Sequence, residues 1–356
     1  MGLPIIAAGI YFLWKPILNP DSIPAVRKTL PQEYNWTISL KRAIAPDTRI
    51  FAGCCGSWVL VSPSGTLQVL DETGAVQTET TFPQGQLPAF GDGGVLVSEN
   101  GFVFRVDRTG QTLWKTDLKI TLLHPPVQAG NGVFLLSTDG KLVRLNRETG
   151  AKEWETAETG RSEGGFVLID GRTLAYGNCN SAVYLVNASD GRSEGEIALG
   201  EGAQTAGSPA YGFNALYLGI RSGEILRIGI AEKKMLGRMK ISDTEAFAPI
   251  ANAGLVFATG TASGTVVLFD PDFKRQRQLT LPGGFPVTQV FARPGSSDVW
   301  CVSGSSLFRI DTAAVLIKNR FVLGDKLSAF VFSGDRLACI SDDNLIVLKR
   351  SIDEQH

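Results

Sequence analysis

Histidine is almost missing from this chain. It has two, His124 and His356, beside five cysteines with no Cys-x-x-Cys pair. Structural zinc needs four such ligands at close spacing, so this composition argues against it, and the odd cysteine count argues against a complete disulfide framework. Two isolated imidazoles also leave no Ser-His-Asp order to assemble, and His124, in Leu-Leu-His-Pro-Pro, reads as a turn residue. Charge of one sign is lacking as well: 34 basic residues face 35 acidic ones, so composition offers no case for nucleic acid as a partner. No helical period is visible. The Gly-rich stretches at 160–165 and 200–207 therefore have no helix start to complete a phosphate-binding loop. Long apolar runs are missing except near the N-terminus, where residues 3–14 carry no charge.

What is present is a repeat. In residues 140–154, Gly140 opens a short apolar strand, the turn Asn146-Arg-Glu-Thr-Gly150 reverses the chain, and a second strand begins near Trp154. The unit recurs with Asp107, Gly110 and Trp114, and again with Asp71 and Gly74. Weaker copies centre on Asn187, Gly229, Asp270, Asp311 and Lys349. A spacing of about 40 residues, built from short strands and turns, predicts an all-β β-propeller. Eight marks predict eight blades of four strands.

The last copy is short of a strand, because the residues after Leu348 are polar. Residues 34–40 match it in type, since Trp36-Thr-Ile-Ser-Leu40 follows the pattern Trp114-Lys-Thr-Asp-Leu118. This N-terminal strand is expected to complete the last blade and close the ring, leaving no open sheet edge. A closed ring of repeats is one domain whatever its length, and an apolar content of 44% supplies its core.

Upstream, residues 1–18 read as a hydrophobic membrane anchor or signal-like segment, short for a span of 17 to 25 residues but extended by Ile17, Leu18 and a snorkelling Lys15. No basic residue precedes the run and no small-x-small site follows it cleanly, which favours a retained anchor. Residues 19–33, with Pro20, Pro24 and Pro31, read as an extended linker, and residues 34–356 as the propeller. Lys15, Arg27 and Lys28 follow the apolar run and would favour a cytoplasmic propeller; a periplasmic one is the preferred expectation.

The form Gly-x-Leu-x-x-Leu followed by Asp/Asn-x-x-Thr-Gly-x-x-x-Trp resembles the quinoprotein-type (PQQ-like) propeller repeat. It is strict at Asp107, Gly110 and Trp114 and at Asn146, Gly150 and Trp154. The resemblance implies that each Trp docks on the neighbouring blade. Size and blade count resemble the branch of that family that acts as non-enzymatic scaffolds in outer-membrane protein assembly. By that likeness the expected role is a membrane-tethered, protein-binding scaffold, its partners being other proteins of a membrane-associated complex and its loops the binding elements.

Two departures from the family pattern bear on function. Where the family has a small residue two positions before the Asp, this chain has Arg105, Arg144, Arg227 and Arg309. These could form a basic column on one face, or lie over neighbouring rings and pair with acids between blades, and the second reading is preferred. The other concerns Cys54 and Cys55. Some quinone-dependent dehydrogenases of the family hold an adjacent cysteine pair against the cofactor, and Gly53 and Gly56 would ease such a bridge here. No Asn-Arg-Gly follows the pair and no calcium ligand set accompanies it. Two small apolar side chains filling a turn is the simpler expectation, with no cofactor. A degenerate quinoprotein or small-ligand enzyme using the channel is the alternative function.

Overall fold

Each repeat folds as an antiparallel meander because its strands are short, most of them four to seven residues, and are separated by residues that tolerate reversal. A computed structural model describes residues 34–52, 57–81, 86–91, 94–99, 101–107, 111–122, 126–162, 165–241, 249–293 and 296–352. The chain divides into two compact units, one of residues 1–37 with 350–356 and the other Ile38–Lys349. The larger unit carries the propeller.

The expectation of eight blades is corrected in one respect. Seven blades, not eight, are cut from continuous stretches of chain: residues 49–81, 86–117, 127–155, 166–198, 205–240, 251–280 and 287–322, called blades one to seven here. The remaining four-stranded sheet is composite. Leu327–Ser333, Arg336–Ser341 and Asn344–Ile352 supply three strands, and Tyr34–Ala43 supplies the fourth. Among the described residues no strand follows Ile352, so the outer place in that sheet is taken from the other end of the chain. There the Ser39 hydroxyl donates to the Val347 carbonyl at 3.1 Å.

Burial shows why the strands read as they do. The second strand of blade five, Ala215–Ile220, is buried at all six positions, because a neighbouring blade covers each of its faces. The outer strand of blade seven, Leu316–Val322, alternates between exposed and half-buried residues. The first strands contact one another around the axis, as between blades four and five and between five and six. Apolar clusters then weld adjacent blades: Leu185 and Leu226 share one between four and five, and Val266 and Phe308 share another between six and seven. At the closure, Ile50, Trp58 and Leu70 of blade one pack with Ala338, Ile340 and Leu345 of the composite sheet.

One seam carries a polar latch. The Tyr176 hydroxyl of blade four donates to the Gly140 carbonyl of blade three at 3.1 Å and lies 3.1 Å from the Thr159 hydroxyl. Burial pushes its phenol up to about 12, with the Thr159 hydrogen bond opposing. Tyr176 thus stays protonated in the folded chain over a range where an unfolded tyrosine, at about 10, has ionised. The stability it contributes is intact below pH 10 and is lost as pH rises towards 12. Urea midpoints measured from pH 8 to 11.5 should fall at the alkaline end, and Tyr176→Phe should flatten that fall; an equal decline in both proteins would assign it to other groups.

Candidate protein-binding surface

The marker residues of the repeat prove to be turn caps. Asp71 Oδ1 accepts from the Thr73 backbone N–H at 2.8 Å, the Thr73 hydroxyl at 2.6 Å and the Ala75 N–H at 3.0 Å. Those bonds, led by the one from the Thr73 hydroxyl, hold its carboxyl below the ordinary range. Asn146 repeats the arrangement with the N–H groups of Glu148 and Thr149, and Asp107 accepts from the Gln111 N–H at 2.9 Å. Short oxygen-bearing side chains that bond their own backbone two to four residues on are what such reversals require. Gly110 lies outside the described residues.

The turn glycines serve as sockets. Gly150 has φ +72°, and a Cβ there would lie 2.6 Å from the Trp114 ring of the preceding blade. Trp114 Nε1 then donates to the Arg147 carbonyl of the same turn at 2.8 Å. Trp154 lies on Gly191 in the same way, where a Cβ would come within 2.7 Å. Other seams use the pieces differently. Between blades five and six the glycine is on the strand, at Gly237, and the aromatic is on the next turn, at Phe273. Between four and five, Gly195 faces the stem of Lys233. At the closure a Cβ on Gly74 would collide with Leu40. The expected match of Trp36 to Trp114 is therefore corrected: Leu40, four residues on, stands against the turn glycine of the next blade.

A substitution pair tests the socket. Gly150→Ala meets both the left-handed backbone and the Trp114 ring, whereas Gly171→Ala, at φ +69°, has nothing within 4 Å of its new Cβ. The backbone term alone costs about 1–2 kcal/mol. Denaturant melts should show Gly171→Ala losing about that much and Gly150→Ala at least about 1 kcal/mol more for the forced displacement of a packed ring.

Each arginine of the column has a partner. Arg105 donates to the Arg147 carbonyl at 2.6 Å and pairs with Glu148 at 2.9 Å, both on the next blade. Arg144 donates to the Ala188 and Ser189 carbonyls at 3.0 and 2.9 Å, and its guanidinium stands 5.7 Å from the Phe134 ring centroid. Arg227 pairs with Asp272 of the next blade at 2.8 Å. Arg309 differs, since its partner Asp298 is on the adjacent strand of its own blade, with Arg309 Nε donating at 2.7 Å. A repeated bulge directly after Arg105, Arg144, Arg227 and Arg309 re-aims the strand before each turn. Three of these guanidiniums therefore bond to the next blade, and the fourth pairs within its own.

Two clamps escaped sequence reading. Arg277 donates to the Thr312 and Ala313 carbonyls at 2.6 and 2.9 Å from the strand position held by Trp in blades two and three. Arg336 pairs with Glu72 at 3.0 Å across the closure. Neither sits in the column that the repeat made visible.

Cys54, Cys55, His124 and His356 lie outside the described residues, as do residues 1–33, where an anchor and a linker are expected. Of the described cysteines, Cys301 and Cys339 are buried, and burial raises the Cys339 thiol to about 12 and that of Cys301 further still. Among the described residues no group of three or more His, Cys, Asp or Glu could hold a metal ion, and no helix is long and apolar enough to cross a membrane.

Several exposed apolar side chains lie on one face, while others, Phe285 and Val322 among them, are elsewhere. Strands alternate in direction, so the turn after each first strand and the Asp-type turn after each third strand emerge on the same side of the ring. On that side, at blades five and six, Phe213 is 45% exposed and Leu255 77%, with Met235 and Leu236 exposed on the neighbouring hairpin. Beside them is a cleft of about 430 Å3 lined by Ile169, Asp170, Tyr211, Asn214, Ile230 and Ala231. The Tyr211 hydroxyl donates to Asp170 at 3.4 Å, and burial, then the Asp170 carboxylate, raise its phenol above the ordinary value. Phe213 has φ +52°, a conformation that disfavours a bulky residue, and its ring meets Phe257 edge-on with centroids 6.1 Å apart. An aromatic held exposed in a strained turn is the kind of outlier that marks a working surface.

Comparison with known proteins agrees with this architecture. The family described as "Outer membrane protein assembly factor BamB" matches residues 63–278. Among solved structures, BamB from Moraxella catarrhalis superposes with a TM-score of 0.72 at 17% identity, over 90% of this chain and 99% of that one. The computationally designed Ika8 protein gives 0.73 at 16% identity, over 87% and 96%. Sqt1 from Saccharomyces cerevisiae gives 0.71 at 12% identity, over 89% and 98%. At these identities the superpositions speak to fold. No curated protein sequence matches the chain. The family match covers more than half of the chain, and with the socket turns in place it shows that this protein belongs to the BamB family of PQQ-like β-propellers.

Proposed function

We propose that this propeller is a protein-binding scaffold of an outer-membrane assembly complex, tethered through residues 1–18 with the ring in the periplasm. The observation that carries the binding reading is the group Phe213, Leu255, Met235 and Leu236 beside the cleft at Tyr211 and Ile230. Rigid blades hold these side chains in place while the loops between strands are free to differ, which suits a docking platform. Family membership supports the assembly context, since the family is described by an assembly role. A partner segment with aliphatic side chains would bury the two most exposed residues, and such anchors contribute about 2 kcal/mol or more each at the centre of an interface.

Backbone strain makes the test specific. Phe213→Gly should leave the fold as stable or slightly more stable, because glycine accepts φ +52° freely, yet should weaken partner capture. Full-length protein carrying Phe213→Gly and Leu255→Asp, extracted from membranes in mild detergent, is expected to lose the proteins that co-purify stoichiometrically with the parent while its melting temperature holds. Retention of those partners by the double variant would move the binding surface elsewhere. An absorbance spectrum of the same sample decides the alternative: a stoichiometric chromophore with no partner would favour a quinoprotein and direct attention to Cys54 and Cys55.

A further inference from the structure

The seam where the two ends of the chain meet holds a second cleft, on the side of the ring opposite the Asp-type turns. It encloses about 430 Å3 between residues 42–48, which lead out of the closing strand, and the second and third strands of blade one. Its polar lining includes the Arg42 guanidinium, the hydroxyls of Ser62, Ser64 and Thr66, and the Gln68 amide, over a floor that includes buried Leu60. Among the described residues that line it there is no Asp or Glu. The cleft at Tyr211 differs, having Asp170 and Arg172 together in its wall.

The hydroxyls are linked. Ser62 and Ser64 lie 2.6 Å apart, Ser64 and Thr66 3.4 Å apart, and the Thr66 N–H donates to Ser62 Oγ at 3.0 Å. Ser62 is thereby fixed as a turn cap, as Thr261 is in blade six, while Ser64 is exposed and bonds only to hydroxyls. Arg42 donates through Nη1 to the Gly74 carbonyl at 2.7 Å, which anchors the side chain and leaves donors of its fork for another acceptor. A single cation anchored at one nitrogen, with hydroxyl donors beside it and the nearby Glu79 carboxylate engaged by the Gln68 amide at 2.7 Å, forms a set that suits an oxygen-rich anion.

From this arrangement we infer that the closure seam is a binding site for a ligand bearing a phosphate group, held by Arg42 with the Ser64 and Thr66 hydroxyls, its uncharged body lying over Leu60. The site exists only in the closed ring. Arg42 and Ser64 are about twenty residues apart and belong to different sheets, so occupancy would also favour the closed state by mass action.

Calorimetric titration of the full-length protein with glycerol 3-phosphate, using glycerol as the uncharged control, tests the site. Flotation with phosphatidylglycerol against phosphatidylcholine vesicles separates a soluble ligand from a lipid headgroup of the same chemistry. Saturable binding of either phosphate form is expected, weakened at least tenfold by Arg42→Gln and several-fold by Ser64→Ala. Because Arg42 also holds Gly74, the Ser64 variant guards against a folding artefact: its hydroxyl partners are side chains alone, so its melting temperature should match the parent. Failure of both phosphate probes to bind, or binding that neither substitution weakens, would overturn the inference.

Discussion

Deleting residues 34–43 is expected to abolish cooperative unfolding of the propeller. The closing strand is the outer member of the composite sheet, so its loss leaves Asn344–Ile352 as a bare edge and strips Leu40 from Gly74 and Arg42 from the Gly74 carbonyl. A ring distributes its stability over blade-to-blade interfaces, and opening one seam uncovers two apolar walls together, here those of Leu345 and Ile340 against Trp58 and Leu70. Domains of this kind hold a net of only about 5–15 kcal/mol, so one exposed seam is a large share of the total. Circular dichroism on heating should change from a single sharp transition to a broad decline. Leu40→Asp should give a milder version, destabilising by roughly 2–5 kcal/mol through loss of the packed side chain and burial of a charge. A deletion variant that melts as sharply as the parent, at the same temperature, would show that the strand is an accessory.

Arg309→Ala should be the most damaging single substitution among the arginines. Arg309 and Asp298 are 6% and 8% exposed, and Asp298 has Lys318 as its other cationic neighbour, at 3.8 Å. Removing the guanidinium strands a buried carboxylate, which costs about 3–5 kcal/mol. The double variant Arg309→Met with Asp298→Leu should recover most of that loss, since both buried charges disappear together and the volume is largely refilled. By contrast Arg105→Ala should cost about 1–3 kcal/mol, because its Glu148 partner is largely exposed and what is stranded is one backbone carbonyl already bonded to Trp114. Equal losses for Arg309 and Arg105 would mean that burial of the ion pair carries no special weight. A double variant as unstable as Arg309→Ala alone would mean that packing, not charge, dominates the site.

The proposed binding surface was the least legible part of the chain. Phe213 and Leu255 look unremarkable in sequence, since both sit in short turns with a glycine at their side. Their meaning comes from exposure and from the strain at Phe213, which local pattern does not reveal. The arginine column was visible because it recurs at a constant offset from the Asp, but its use was not: three members clamp the next blade and the fourth pairs within its own. Arg277 and Arg336 do the same kind of work from other positions, and no repeat signal marks them.

By itself the sequence determined what depends on neighbours in the chain: short strands, reversals capped by Asp71, Asp107 and Asn146, glycines where the backbone turns left-handed, and the period that makes them a propeller. These are set within a few residues by backbone sterics and local hydrogen bonds, so one copy explains the next. Tertiary structure alone decided how the copies meet. Whether a seam is filled by Trp114 on Gly150, by Phe273 on Gly237 or by Leu40 on Gly74 depends on volumes contributed by residues about one repeat apart, and at the closure between the composite sheet and blade one. Packing accepts any pair of shapes that fills the gap, so the partners can change roles from seam to seam while the local pattern stays the same.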